Sequence, residues 1–312
     1  MDLSPSQQDI VTTNINVSAS LSITAVIGTL VLIRWLRFEN KFLIYIKLLL
    51  LSDLGYAICS IAARNMDKKV ANDTLCSVMM ATSSFFSINS IYWALSFAIN
   101  TYLVIVKDKD NVDSFFKKHV IAALSLSLAI ALIPITFGGY GVSYISGCGI
   151  NKELSLTTGA FIRLGLQYVP IVSAAGISAI LYRLSILKLA RDKRSRAFEQ
   201  EIRGFARQFV PYQLVPFVCG FPGLVGEIIQ ITKSGEITFF LVLLSNFAFR
   251  FQGFLNSLIY GLSRGVRESV RLRIRGEVPS DGVRVSIAKL ETLRNNSADD
   301  REEIFRIDSR LL

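Results

Sequence analysis

The stretch RFQGFLNSLIYGLSRGVRESVRLRIR, residues 250–275, changes character half-way along. Up to Leu262 it is apolar apart from its glycines and Arg250, Gln252, Asn256, Ser257 and Tyr260. Beyond that point Arg267, Arg271 and Arg275 recur one helical turn apart, with Val266, Val270 and Ile274 one step round. A helix of this kind lies in a membrane interface, apolar side down and arginines on anionic headgroups. The stretch therefore reads as the end of a membrane-spanning helix followed by an amphipathic helix over 263–275.

Upstream, windows of about twenty mostly apolar residues recur, the length that crosses about 30 Å of hydrocarbon. Seven spans are expected, at 18–36, 42–63, 77–105, 119–139, 159–183, 206–232 and 237–262. The third and sixth are the least uniform, because of Ser/Asn content and three prolines respectively. The 312-residue chain is 51% hydrophobic and 19% charged, with a mean hydropathy of +0.45. That balance excludes an ordinary soluble domain. The predicted fold class is an all-α membrane protein, a seven-transmembrane helix bundle with an interfacial helix after segment 7.

The net charge of +10 is unevenly placed. Of the 34 Lys and Arg, 26 fall in 34–41, 107–118, 183–207 and 263–312, against five in the alternate connections. Positive charge accumulates on the cytoplasmic side, so the orientation is N-out, C-in. The basic balance reflects topology and an anionic inner leaflet rather than nucleic acid. Residues 1–17 form an extracellular N-terminus, 18–262 the bundle, 263–275 the amphipathic helix, and 276–312 a largely disordered cytoplasmic tail. The first of these carries no Lys or Arg and lacks the layout of a cleavable signal peptide, so segment 1 serves as its own anchor. Asn16 and Asn72 open glycosylation sequons, both on the outer side. Ser280, Ser286, Ser297 and Ser309 are phosphorylation candidates in the tail.

Of four cysteines, Cys59 and Cys219 fall inside spans and read as small apolar packing groups. Cys76 and Cys148 face the oxidising side, where a disulfide persists, and a bridge between them would pin the second outer loop over segment 3. The single His119 stands beside Lys117 and Lys118 and reads as an interfacial polar residue. No second histidine gives metal-ligand spacing, and no phosphate-loop, nucleophile-elbow or zinc-protease motif occurs. No enzyme, metal or cofactor is expected.

Ionisable groups inside spans are expensive and normally face the bundle interior. Lys47 is one turn into segment 2 and can snorkel to the inner interface. Arg163 and Glu227 lie near the outer ends of segments 5 and 6, where a ligand could reach them. Asp53 is about 16 Å from the inner end of segment 2, and Arg250 is near mid-depth in segment 7. Asp53 either meets segment 7 through Arg250 or Asn256, or is solvated apart from both. Asn256 and Tyr260 share one helix face. Segment 6 carries Pro211, Pro216, Cys219 and Pro222. Proline kinks a helix, and here the kink is either a hinge that opens the cytoplasmic face or a static feature of packing.

Seven spans, an outside N-terminus, a tether from segment 3, a kinked segment 6 and a polar end to segment 7 resemble a G-protein-coupled receptor. QGFLNSLIYGLSRGVRESV (252–270), LLLSDLGYAI (49–58) and SINSIYWALSFAINTYLVIV (87–106, with Trp93 and Asn100) resemble the slime-mould cyclic-AMP receptors and their plant, fungal and protist relatives. The resemblance extends over all seven spans and is specific in those three stretches. It implies a heterotrimeric G protein as partner and an extracellular ligand. The basic loops 107–118 and 183–207 would supply the G-protein contacts, with Lys107, Lys188, Arg191, Lys193, Arg194 and Arg196 as candidates, or their charge reflects topology alone. The resemblance also implies residence in the plasma membrane. The second outer loop reads GCGI where the family commonly has aromatics, and segment 6 departs from the family's Tyr-Pro and Cys-Trp pattern. The Cys219–Pro222 spacing is similar to that of rhodopsin-like receptors, with Gly220 in place of the aromatic switch. Cyclic AMP is therefore not carried over as the ligand. A seven-span transporter is the alternative, but segments 1–3 do not resemble 5–7. A retinal protein would need a lysine in segment 7, which has none.

Overall fold

The computed structural model describes residues 4–36, 41–66, 72–107, 113–142, 147–151, 154–191, 196–232 and 239–275. The expected tail, 276–312, lies outside them, as do Lys193 and Arg194. Seven helices among the described residues are long and apolar enough to cross a membrane. Segments 1 to 4 are α1 (Pro5–Leu36), α2 (Lys41–Arg64), α3 (Asp73–Ile105) and α4 (Asp113–Leu132). Segment 5 is composite, with α5 (Leu156–Arg163), a π-helical turn (Leu164–Tyr168) and α6 (Val169–Arg191). Segments 6 and 7 are α7 (Arg196–Thr232) and α8 (Phe239–Leu262), and α9 (Arg264–Ile274) follows.

Local chemistry sets several of these boundaries. The Asn72 side chain caps α3 by accepting from the Leu75 amide at 2.8 Å, and Asp73 adds a negative charge to the first turn. Such a cap is worth about 1 kcal/mol. Pro134 ends α4 in a 3₁₀ turn that closes at Gly138, where φ is +65°. Segment 1 starts at Pro5, well before the expected residue 18. Val11 and Ile15, four apart on one face, are buried against Phe239, Val242 and Leu243 of segment 7. That packing carries the helix through residues whose polar character alone suggested a terminus. The three prolines of segment 6 sit inside one continuous α7.

Segment 3 occupies the middle, packed on α2, α4, α6 and α7, while α8 closes against α1, α2 and α7. Around Trp93 the core is aromatic. Tyr45 meets Trp93 edge-on at 5.9 Å between centroids and Phe116 at 5.5 Å, and Phe97 lies 5.6 Å from Tyr212. Each such pair adds about 0.5–1.5 kcal/mol beyond its area burial. The outward faces are apolar as well, with Ile121, Ile180 and Phe240 each more than half exposed. This inside-and-outside hydrophobicity is what a bilayer-spanning bundle requires.

At one end of the bundle a two-stranded antiparallel sheet pairs β1 (Tyr140–Val142) with β2 (Cys148–Ile150), Gly141 opposite Gly149. Cys148 is bonded to Cys76 near the start of α3, as the sequence suggested. Gly147, just before it, has φ +62°, and a Cβ there would press on the Ala63 carbonyl. Gly147→Ala is expected to cost about 1–3 kcal/mol, read as a lower Tm of the purified protein. An unchanged Tm would mean that the hairpin is not held in this conformation.

Candidate functional site

The hairpin roofs a cavity of about 340 Å³ at the disulfide end, lined among others by Tyr56, Arg64, Arg163, Glu227, Gln230 and Arg250. The roof is fastened by the Tyr140 hydroxyl, which donates to Ser84 Oγ at 2.9 Å, and by Ser77 Oγ, which donates to the Tyr140 carbonyl at 3.3 Å. Burial pushes the Tyr140 phenol up, so it stays protonated as a donor.

On the wall of the cavity Arg163 grips Glu227 with two hydrogen bonds, Nε to Oε1 and Nη2 to Oε2, the latter at 3.0 Å. The same Nη2 donates to Gln230 Oε1 at 3.0 Å. The two candidate ligand-facing residues are thus each other's partners. Glu227→Leu should destabilise the protein by about 1–3 kcal/mol by leaving the Arg163 guanidinium without a counter-charge in a half-buried site, held by Gln230 alone. Adding Arg163→Leu should recover much of that loss in thermal unfolding, and an additive double variant would refute the pairing. The π-helical turn directly after Arg163 widens segment 5 and brings Tyr168 inward, hydrogen-bonded to Ser245. Gly223 leaves room for it, since a Cβ there would overlap the Tyr168 hydroxyl.

Below the cavity lies a buried polar cluster centred on Asp53. Ser90 Oγ donates to its Oδ1 at 2.6 Å and Gln252 Nε2 to the same oxygen at 3.2 Å. Asn256 Nδ2 donates to Oδ2 at 2.7 Å, and Gln252 also donates to Ser90 Oγ at 2.9 Å. Gln252 and Asn256, four apart, reach the carboxylate from one face of α8. Gly253 between them allows the approach, because a Cβ there would stand 3.1 Å from that of Asp53. Of the two partners considered for Asp53, Asn256 makes the contact and Arg250 does not. Arg250 instead curls back along its own helix, Nη1 donating to Asn246 O and Oδ1 at 3.0 Å. An arginine about one and two-thirds turns from Asn256 points to a different side of α8, toward the cavity.

The Ser22 hydroxyl of α1 donates to the Arg250 carbonyl and accepts from the Phe254 amide at 3.2 Å. Those two groups face each other across one α-helical turn of α8, so the Ser22 side chain ties α1 to that turn beside the cluster. Sequence reasoning missed Ser22, Ser90 and the role of Gln252. Gln252, one turn before Asn256, was the one readable signal.

Toward the α9 end, Asn100 Nδ2 donates to the Ser96 carbonyl at 2.9 Å, and Tyr260 is buried in the aromatic core with Tyr212. Gln213 of α7 reaches the Ala94 carbonyl at 3.2 Å, tying segment 6 to segment 3 between Pro211 and Pro216. Cys219 is buried. His119, expected at the interface, is instead buried between tyrosines. Its Nδ1 is 3.2 Å from the Tyr92 hydroxyl and its ring 5.9 Å from that of Tyr45. Its place on the inward face of α4, rather than its neighbours Lys117 and Lys118, decides its environment. Lys107 is exposed and Lys188 half-buried, while for Arg191 and Arg196 only the backbone is described. Asn72 is exposed, with its side-chain oxygen serving as the N-cap of α3. Asn16 lies within α1 and exchanges hydrogen bonds with Asn65.

A roofed cavity, a buried polar cluster and a proline-rich helix thus lie along one bundle of seven long apolar helices. The family profile of the slime mold cyclic AMP receptors matches residues 5–261. The chain belongs to that family. Cyclic AMP receptor-like protein A of Dictyostelium discoideum is 23% identical over 195 residues, covering 62% of this chain. The chain spans about half, 49%, of the length of that curated relative. Within this family of receptors the chain is a multi-pass membrane protein. The stretches at 49–58, 87–106 and 252–270 that carried the resemblance hold Asp53, Ser90, Gln252 and Asn256, the four residues of the cluster.

Proposed function

We propose that the chain is a G-protein-coupled receptor of the plasma membrane, with the disulfide end outside and α9 on the inner leaflet. A small extracellular ligand enters the cavity between Arg163, Glu227 and Arg250. Its binding favours an arrangement in which the inner half of segment 6 moves outward about Pro216, Cys219 and Pro222. The cleft that opens takes a heterotrimeric G protein, with Lys107, Lys188, Arg191, Lys193, Arg194 and Arg196 around it. A ligand shifts such a balance only by its differential affinity for the two states.

The observation that carries this reading is the Asp53 cluster. It joins segments 2, 3 and 7 by hydrogen bonds at a level between the cavity and the Tyr212–Tyr260 core. Movement of α8 at the cavity cannot leave that cluster unchanged, and Gln213 holds α7 to the same segment 3. Buried polar networks of this kind are costly when half satisfied, so the two arrangements are discrete rather than graded.

The test is guanine-nucleotide exchange in membranes that contain this chain and Gα subunits from its own organism. Exchange should rise with the intact chain and fall to background when the cations at 188, 191, 193, 194 and 196 are neutralised. Exchange that is equal for the intact and neutralised chains, at matched surface expression, would reject the coupling surface.

A further inference from the structure

We propose that the junction of α1 and α9 is a binding site for one anionic phospholipid. An open groove lies there, lined by Val31, Arg34, Trp35 and Arg273. The Arg273 guanidinium stands over the Trp35 ring, 5.9 Å from its centroid. A cation held on an indole face is oriented while its hydrogen-bond donors stay available. Arg34 is exposed on the last turn of α1. Among the described residues no carboxylate pairs with Arg34 or Arg273, and the two guanidiniums bound one concave space.

The remaining walls select a lipid over a free phosphate. Ile27, Val31 and Trp35 follow one another at intervals of four on one stripe of α1, and they are 48%, 62% and 44% exposed. The stripe runs from the paired arginines away along the outside of the bundle. A phosphate diester seated between Arg34 and Arg273 places its glycerol at the Trp35 indole and an acyl chain along Val31 and Ile27. Indole rings favour that headgroup boundary, and arginines gather anionic lipids. The lipid thereby bridges α1 to α9, which otherwise touch at few positions, and fixes α9 beside the end of segment 7.

The chain has two tryptophans. Trp93 is 2% exposed and Trp35 is 44% exposed, so contact quenching by lipid bromine reports Trp35. The full-length protein is placed in nanodiscs containing a small fraction of brominated phosphatidylserine or brominated phosphatidylcholine. Each arginine is expected to favour the anionic lipid about fivefold, giving a preference of about 25-fold for phosphatidylserine at Trp35. Arg34→Gln with Arg273→Gln should remove the preference while leaving quenching by phosphatidylcholine intact, which shows that the helix is still seated in the bilayer. Trp35→Phe should abolish the response. Equal quenching by both lipids in the unaltered chain would overturn the proposal, as would a preference that survives the double substitution or the loss of Trp35. Displacement of the brominated lipid by water-soluble glycerophosphoserine, as effective as by unbrominated diacyl lipid, would overturn the assignment to a lipid.

Discussion

Cys76→Ser is expected to lower the stability of the protein by about 2–4 kcal/mol and to make it insensitive to reductant. The bridge closes a loop with 72 residues of separation, for which chain entropy alone suggests about 4 kcal/mol. Helices that remain inserted in the bilayer already restrict that loop in the unfolded state, which places the effect toward the lower part of the range. Cys148→Ser should match it, and the double variant should be no worse than either, because all three remove the same bond. Thermal unfolding with and without a reducing agent reads the result. The hairpin roof depends on the bridge, so surface expression should fall in parallel. A native protein whose Tm ignores reductant would show that the roof is held by Tyr140, Ser77 and Ser84 alone.

The second large effect belongs to Asp53. Asp53→Leu removes an acceptor of Ser90, Gln252 and Asn256 at once, leaving Gln252 only its bond to Ser90 Oγ. Each buried donor left without a partner costs about 1–3 kcal/mol, but polar groups in membranes re-pair readily and single bonds there average less than 1 kcal/mol. A total of about 2–4 kcal/mol is expected, together with loss of any signalling response. Asp53→Asn should be milder, since a carbonyl oxygen remains and the amides of Gln252 and Asn256 can turn over to suit it. A double-mutant cycle between Asp53→Ala and Asn256→Ala should return a coupling of about 0.5–3 kcal/mol. The cycle between Asp53→Ala and Arg250→Ala should return close to none, because Arg250 is bonded within its own helix.

The contrast between those cycles shows where sequence reasoning reached and where it stopped. Seven spans were readable because hydrocarbon thickness fixes the length of an apolar run, whatever its neighbours do. The Cys76–Cys148 bridge was readable because only two cysteines share the oxidising side. Depth along a helix follows from counting residues, so Asp53, Arg250 and Asn256 could be brought to about the same level. Rotation about the helix axis was harder. It separates Arg250 from Asn256 and turns His119 inward, and it depends on which face each helix gives its neighbours.

The remaining misses have the same origin. Ser22 is one of several serines in segment 1, and nothing local marks it as the one that bonds to the Arg250 carbonyl. The π-helical turn at Leu164–Tyr168 is a property of how segment 5 packs on segment 6, where Gly223 leaves space for Tyr168. Segment 1 reaches back to Pro5 because Val11 and Ile15 find apolar partners more than two hundred residues away. A hydropathy window weighs such residues by their own chemistry and is blind to a distant partner.

On the proposed function, the bundle opens at the α9 end when a G protein binds. The most direct test places spin labels at Lys107→Cys and Arg207→Cys in a background with Cys59 and Cys219 replaced by serine. The distance between labels is then measured in nanodiscs, with and without nucleotide-free G protein. The account predicts a population at longer distance that appears with the G protein, disappears on adding guanine nucleotide, and is lost in Asp53→Leu. A single unchanged distance, with G-protein binding verified in the same sample, would contradict it.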